Sequence, residues 1–139
     1  MNREKFKFRF FIQVLLLICV ALGLQGGCME HDQHGYPYSV KFPKSGGKKI
    51  VNGNTSLGYI KIYDQKTGGG DSDMYFPSHE DEENEELFVK YEWLTVIHDV
   101  DTHQITLIAE PNNTKKKRKL RIESDDGKSY LEINVTQSK

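Results

Sequence analysis

Ile105-Thr106-Leu107-Ile108-Ala109, Leu120-Arg121-Ile122-Glu123 and Leu131-Glu132-Ile133-Asn134-Val135 decide the fold of this chain. In each stretch apolar side chains recur at every second position. Ile105, Leu107 and Ala109 share one face, as do Leu120 and Ile122, and as do Leu131, Ile133 and Val135, with Arg121 and Glu123 on the face opposite Leu120 and Ile122. Successive strand side chains point to opposite faces, so this period predicts three strands, each with one buried and one wet side. Asp126-Gly127 separates the last two. Glycine adopts positive φ freely and aspartate tolerates it, so the pair predicts a tight hairpin with a type I′ turn.

Working back from there, the same reading continues. Leu87 to Val96 has strand character and carries the single tryptophan, Trp93. Either Val89 with Trp93 or Phe88 with Leu94 faces inward, and a kink near Glu92 would let both pairs do so. A ring at this place is expected to fill the gap between two sheets as a core anchor. Upstream, Tyr38–Phe42 puts Val40 and Phe42 on one side, ended by Pro43 and Gly46-Gly47. Lys49–Val51 is a second short strand, and Asn52-Gly53-Asn54 a turn. Leu57–Tyr63 is a third, with Ile60 and Ile62 inward and Tyr59, Lys61 and Tyr63 outward. Met74–Phe76 is a further short candidate. About seven short strands with turn signals between them predict an all-β, immunoglobulin-like sandwich.

The first residues read differently. Arg3, Lys5, Lys7 and Arg9 precede an apolar run from Phe10 to Leu24, and Gln25-Gly26-Gly27 leads into Cys28. A basic start, a short apolar core and small residues before the cut describe a secretory signal over 1–27. The apolar run is shorter than the ~20 residues of a spanning helix. Small residues directly before a cysteine resemble a bacterial lipoprotein signal, which makes Cys28 the lipidated first residue. Polar residues 28–37 then read as a tether, and 38–139 as one domain, the size expected for a chain of 139 residues. Cys19 would leave with the signal, so no intrachain disulfide remains. Of 19 Lys+Arg and 20 Asp+Glu, four basic residues and Glu4 lie in 1–27. That leaves 15 against 19, a net charge of −4, without the basic footprint of a nucleic-acid binder.

The joints of the carboxy-terminal strands carry a resemblance. Trp93-Leu94-Thr95-Val96, a strand ending at Ala109, Asn112 or Asn113, Arg118, Leu120–Ile122, Ser124-Asp125-Asp126-Gly127 and Ile133-Asn134-Val135-Thr136-Gln137 follow one another. Phe42, Ser45-Gly46-Gly47 and Lys49-Ile50-Val51 precede them. This order resembles the BACON (Bacteroidetes-associated carbohydrate-binding often N-terminal) domain over about two thirds of the mature chain. The resemblance implies the same sandwich, with Trp93, Arg118, Asp126, Gly127 and Gln137 as structural positions. From Tyr59 to about Glu86 the chain departs from the family pattern, with an insertion around 64–86. The function implied is a non-catalytic, lipid-anchored envelope module that binds carbohydrate or acts as a spacer in a polysaccharide-handling system. The alternative is an adhesion or assembly subunit of the cell surface. The partners expected are the membrane through lipidated Cys28, glycans or mucin, or another surface protein, at the outer membrane and facing either side of it.

Candidate ligand-binding residues are Tyr59, Lys61 and Tyr63, with Tyr75 and Phe76 in the insertion. Tyrosine combines an apolar body with a polar edge and suits a pyranose face. It is also a common ornament of outer strand faces. The acidic run Glu80-Asp81-Glu82-Glu83-Asn84-Glu85-Glu86, with Asp71 and Asp73, has oxygen ligands that suit calcium but lacks EF-hand spacing, and such blocks are usually solvated loops. His98-Asp99-Val100-Asp101-Thr102-His103 holds metal-type side chains, yet links two strands with ordinary turn chemistry. His31 and His34 lie in the polar tether. No metal or cofactor is expected. Gly68-Gly69-Gly70 is not followed by the Gly-Lys-Ser/Thr of a phosphate loop, and no nucleophile elbow or zinc helix appears. The basic run Lys115-Lys116-Lys117-Arg118-Lys119 has three readings. It protects an exposed strand edge, pairs with the acidic run, or contacts an acidic polysaccharide or phospholipid heads.

Overall fold

A computed structural model describes residues 30–74 and 86–139. The expected signal peptide, Cys28, Tyr75, Phe76 and most of the acidic run lie outside the described residues. Among those described, the chain forms ten strands and no helix: β1 (Glu30–His31), β2 (Ser39–Phe42), β3 (Gly47–Asn52), β4 (Tyr59–Tyr63), β5 (Gly70–Met74), β6 (Glu86–Tyr91), β7 (Leu94–Asp99), β8 (Gln104–Ala109), β9 (Arg118–Asp125) and β10 (Ser129–Gln137). The larger sheet has the order β1-β10-β9-β4-β5, with β2 also paired to β10. The smaller sheet has the order β3-β8-β7-β6. Together they form an immunoglobulin-like β-sandwich.

The alternation read from the sequence is what closes it. Ile60, Ile62, Leu120, Ile122, Leu131, Ile133 and Val135 from the larger sheet meet Leu94, Val96, Ile105 and Leu107 from the smaller in one buried cluster. Each such side chain taken from water contributes about 1.5–3 kcal/mol, so the inward positions of five strands carry the fold.

Three turns differ from the sequence reading. The β9–β10 hairpin forms, but Tyr130 stands opposite Asp125, which puts Gly127-Lys128 at the centre, one residue later than expected. Gly127 takes φ +85° while Lys128 stays at negative φ, so the turn is not type I′. Asp126 is occupied otherwise: its carboxylate accepts from Lys128 N at 2.9 Å and Ser129 N at 2.8 Å. Leu87–Val96 is not one kinked strand but the hairpin of β6 and β7, reversed at Glu92, which sits at φ +50°. Val89, Trp93 and Leu94 are buried and Phe88 is exposed. The insertion expected over 64–86 starts as regular structure, since β5 pairs with β4 from Tyr63↔Gly70 to Tyr59↔Met74. Around its turn, Asp64 N donates to Gly69 O and Gly68 N to Asp64 O.

Between β2 and β3 the chain passes from the larger sheet to the smaller. Gly46 makes this possible: it takes φ +73°, and a Cβ there would lie 2.2 Å from Ala109 O. The tether expected over 28–37 is instead part of the domain from Glu30 onward. β1 runs parallel to β10 beside Ser129 and Tyr130, and β2 rejoins the same edge at Asn134. In the gap, Gln33 substitutes for a strand backbone. Its Nε2 donates to Glu132 O at 2.9 Å, and its Oε1 accepts from Glu132 N at 3.0 Å. Gln33→Ala is expected to cost about 1–3 kcal/mol and to speed hydrogen exchange at the Glu132 amide. Chemical unfolding and exchange mass spectrometry read both.

Candidate functional site

The outer face of the larger sheet gathers the tyrosine stripe and more. With Ile60 and Ile62 buried, Tyr59, Lys61 and Tyr63 turn outward. β4 lies against β9, so Lys61 stands opposite Glu123 and Tyr63 opposite Arg121. β10 adds Glu132 opposite Glu123. The side chains knit into a cross-strand network. Arg121 Nη1 donates to Glu132 Oε2 at 2.9 Å and to Tyr63 OH at 3.3 Å. Tyr130 OH donates to Glu123 Oε1 at 2.8 Å and to Glu132 Oε2 at 3.1 Å. Lys61 Nζ is 3.8 Å from Glu123 Oε2. Lys61 Nζ and Arg121 Cζ lie 5.0 and 5.9 Å from the Tyr63 ring centroid, within cation–π range.

Burial, then the Glu123 and Glu132 carboxylates, push the Tyr130 hydroxyl pKa up, so it remains a donor. Burial first, and then neighbouring acids, raise Tyr59 and Tyr63 as well. The face therefore presents protonated phenols, two cations and two carboxylates in fixed register. Such a surface offers a sugar ring apolar edges together with paired donors and acceptors. Tyr75 and Phe76 lie outside the described residues. Arg121, Glu123, Tyr130 and Glu132 were not singled out as ligand candidates from the sequence. Their outward positions follow from the alternation, but the register that joins them to β4 does not.

At one end of the sandwich a second cluster has the order of a serine–histidine–aspartate triad. Ser129 Oγ is hydrogen-bonded to His34 Nε2 at 2.6 Å, and His34 Nδ1 lies 3.6 Å from Asp32 Oδ2. Acyl-transfer chemistry also needs N–H groups aimed at an oxyanion. Here Lys128 N and Ser129 N are held by Asp126 and Gly127 N by Asp125, and Ser129 is only 8% exposed. Those amides hold Asp126 below the ordinary carboxylate range. The cluster ties the amino-terminal segment to the β9–β10 turn.

The His98–His103 segment does not present one metal-binding face. Asp99 Oδ1 caps Asp101 N and Thr102 N, both at 3.0 Å. His98 is fully buried, and His103 Nδ1 is bonded to Ser56 Oγ at 3.0 Å. In the insertion, Asp73 Oδ1 accepts from Met74 N and its Oδ2 from Phe88 N. Among the described residues no group of three His, Cys, Asp or Glu side chains converges on a point that holds a metal.

Trp93, Arg118 and Gln137 meet at the opposite end. Arg118 Cζ lies 4.9 Å from the Trp93 ring centroid. Arg118 Nε donates to Gln137 Oε1 at 3.0 Å, and Gln137 Nε2 donates to Glu110 O at 2.8 Å and Pro43 O at 3.1 Å. Asp126 and Gly127 form the far turn already described.

Fold and faces define a β-sandwich with one charged aromatic sheet face. No protein-family model matches the chain, and no curated protein does. The chain is similar to a protein from Bacteroides thetaiotaomicron solved by NMR, at 14% identity and a TM-score of 0.49, over 82% of this chain and 92% of that one.

Proposed function

We propose that this protein is a non-catalytic, lipid-anchored module of the bacterial cell envelope, of the BACON type, that binds carbohydrate or spaces the parts of a polysaccharide-handling system. Cys28 is its anchor, and the outer membrane its place. The observation that carries the reading is the Tyr59–Lys61–Tyr63 face with its Arg121–Glu132 and Tyr130–Glu123 bonds. The serine–histidine cluster does not compete with it, because the surrounding amides are already committed. A glycan array that includes mucin tests the reading. Tyr63→Ala is expected to weaken binding about tenfold or more, the scale of losing a central aromatic contact, with the thermal midpoint nearly unchanged. An array without any binder, or one bound equally by Tyr63→Ala, counts against it.

A second reading, an assembly subunit, draws on the outer face of the smaller sheet. Register places Ile50, Thr106, Ile97 and Phe88 side by side across four strands. Ile50 is 52% and Phe88 55% exposed. Apolar residues in contiguous rows mark contact surfaces more than scattered ones do.

A further inference from the structure

We propose that the lysine-rich end of the sandwich binds an anionic polysaccharide, a chain bearing repeated uronate or sulfate groups. This deepens the glycan-handling reading and rests on it. One buried side chain builds this end. Asn112 is fully buried. Its Nδ2 donates to Lys116 O at 2.9 Å and to Ser138 O at 2.7 Å, its Oδ1 accepts from Thr114 N at 3.0 Å, and its backbone N donates to Lys44 O at 2.7 Å. The β2–β3 turn, the loop before β9 and the carboxy terminus are thereby joined. They display Lys44, Lys115, Lys116 and Lys117, flanked by Lys48 and Lys119, all exposed. None of the six forms an ion pair with a described residue. Asp64, Glu92 and Glu110 directly follow β4, β6 and β8 at this end, and Glu110 is held by Lys90 at 2.9 Å.

β4 covers β9 only from Arg121 to Glu123, so Arg118–Leu120 is paired to β10 alone and edge protection accounts for Lys119, whereas Lys115, Lys116 and Lys117 precede the strand. Most of the acidic run lies outside the described residues. The strands that bracket the run leave from the far end, Met74 opposite Tyr59 and Glu86 opposite Asp99. That far end carries Asp32, Glu86, Asp99, Asp101, Asp125 and Asp126, so the domain is electrically polar along its strands.

The amino-terminal chain enters at the acidic end, where Glu30 stands opposite Ser129. With the proposed anchor at Cys28, the acidic end faces the protein's own membrane and the basic end points away. The nine residues of β10 span about 30 Å at ~3.3 Å per residue, several times the ~8 Å screening length at physiological salt. The protein's own lipid headgroups are therefore out of range. The basic end does run into the aromatic face: Lys41, Thr136 and Lys119 form the row beside Asn134 and Arg121. The lysines come from two loops and two strand ends, which suits a long polyanion held at many points rather than a small ligand.

The test uses the full chain purified in detergent, with polygalacturonate, dextran and mucin glycans, and phosphatidylglycerol vesicles as probes. Wild type is expected to bind polygalacturonate and to release it as salt rises. The variant Lys44→Gln/Lys115→Gln/Lys116→Gln/Lys117→Gln is expected to bind it about tenfold or more weakly, as loss of several surface cations against a polyanion implies. Lys128→Gln, at the acidic end, is expected to bind as wild type, and circular dichroism to show every variant folded. Equal binding by the quadruple variant and wild type overturns the proposal, as does binding to vesicles alone. If neutral glycans bind in a Tyr63-dependent way and polygalacturonate does not, this inference fails while the reading above stands. If neither class binds, both fail.

Discussion

Trp93→Ala is expected to lower the unfolding free energy by about 3–5 kcal/mol, the range for removing a buried indole. The ring is 4% exposed and sits at the β6–β7 reversal, where its carbonyl accepts from Glu110 N at 2.9 Å. Arg118 lies over the ring and also donates to Gln137 and to Glu110 O. Removing the indole opens a cavity and uncovers a guanidinium whose hydrogen bonds hold three chain segments together. Part of the loss is therefore shared with Arg118. A double-mutant cycle of Trp93→Ala with Arg118→Ala is expected to show a coupling of about 0.5–2 kcal/mol. Urea titrations of the four proteins measure it. Strict additivity would mean that the indole acts only by filling volume.

His98 gives the second large effect. Leu57 N donates to its Nε2 at 3.1 Å, so that nitrogen carries no proton, and its Nδ1 donates to Gln104 O at 3.0 Å. The imidazole is neutral, buried and fully bonded, with the Tyr36 ring edge-on at 6.5 Å. Burial pushes its pKa below the ordinary histidine value. The unfolded chain then takes up a proton more readily than the folded one once pH drops through about 6.5. Stability from this group is complete above that pH. It falls on acidification by up to about 1.4 kcal/mol per pH unit until the folded pKa is reached. The loss from the amide-capped Asp99 and Asp126 carboxylates, whose pKa values are also lowered, begins only near pH 4. His98→Gln is expected to abolish the slope between about pH 6.5 and 5, at a cost of about 1–3 kcal/mol from disturbed buried hydrogen bonds. Unfolding midpoints of both proteins across that window decide it; a slope that persists in His98→Gln assigns the acid sensitivity to another group.

Much of the architecture is legible in the sequence. Alternation placed β8, β9, β10 and the inward pair Ile60 and Ile62, because a one-sided strand must repeat its apolar side chains every second residue. In two other places a side chain does work normally done by backbone, and in a third a non-glycine residue takes positive φ. Glu92 reverses the chain without a glycine or asparagine. Asp126 captures the amides that a type I′ turn would have used otherwise, and Gln33 completes a ladder from within a segment that looked like a solvated tether. Gln33 depends on Glu132, far along the chain, so local pattern carries no trace of it; Asp126 bonds amides only two and three residues on, a local competition between turn geometries.

The stripe of Tyr59, Lys61 and Tyr63 was visible as a stripe, and the lysines as a run. What their neighbours are was not. Period two specifies which face a residue occupies and says nothing about which strand lies alongside. The larger sheet put Arg121 beside Tyr63 and carried the lysines that precede β9 to one end of the sandwich. Local polarity and hydrophobic burial are written residue by residue, and they determined that this chain is a sandwich. Register, sheet crossing and the separation of charge between its two ends arise from contacts between distant segments, and only the folded chain decided them.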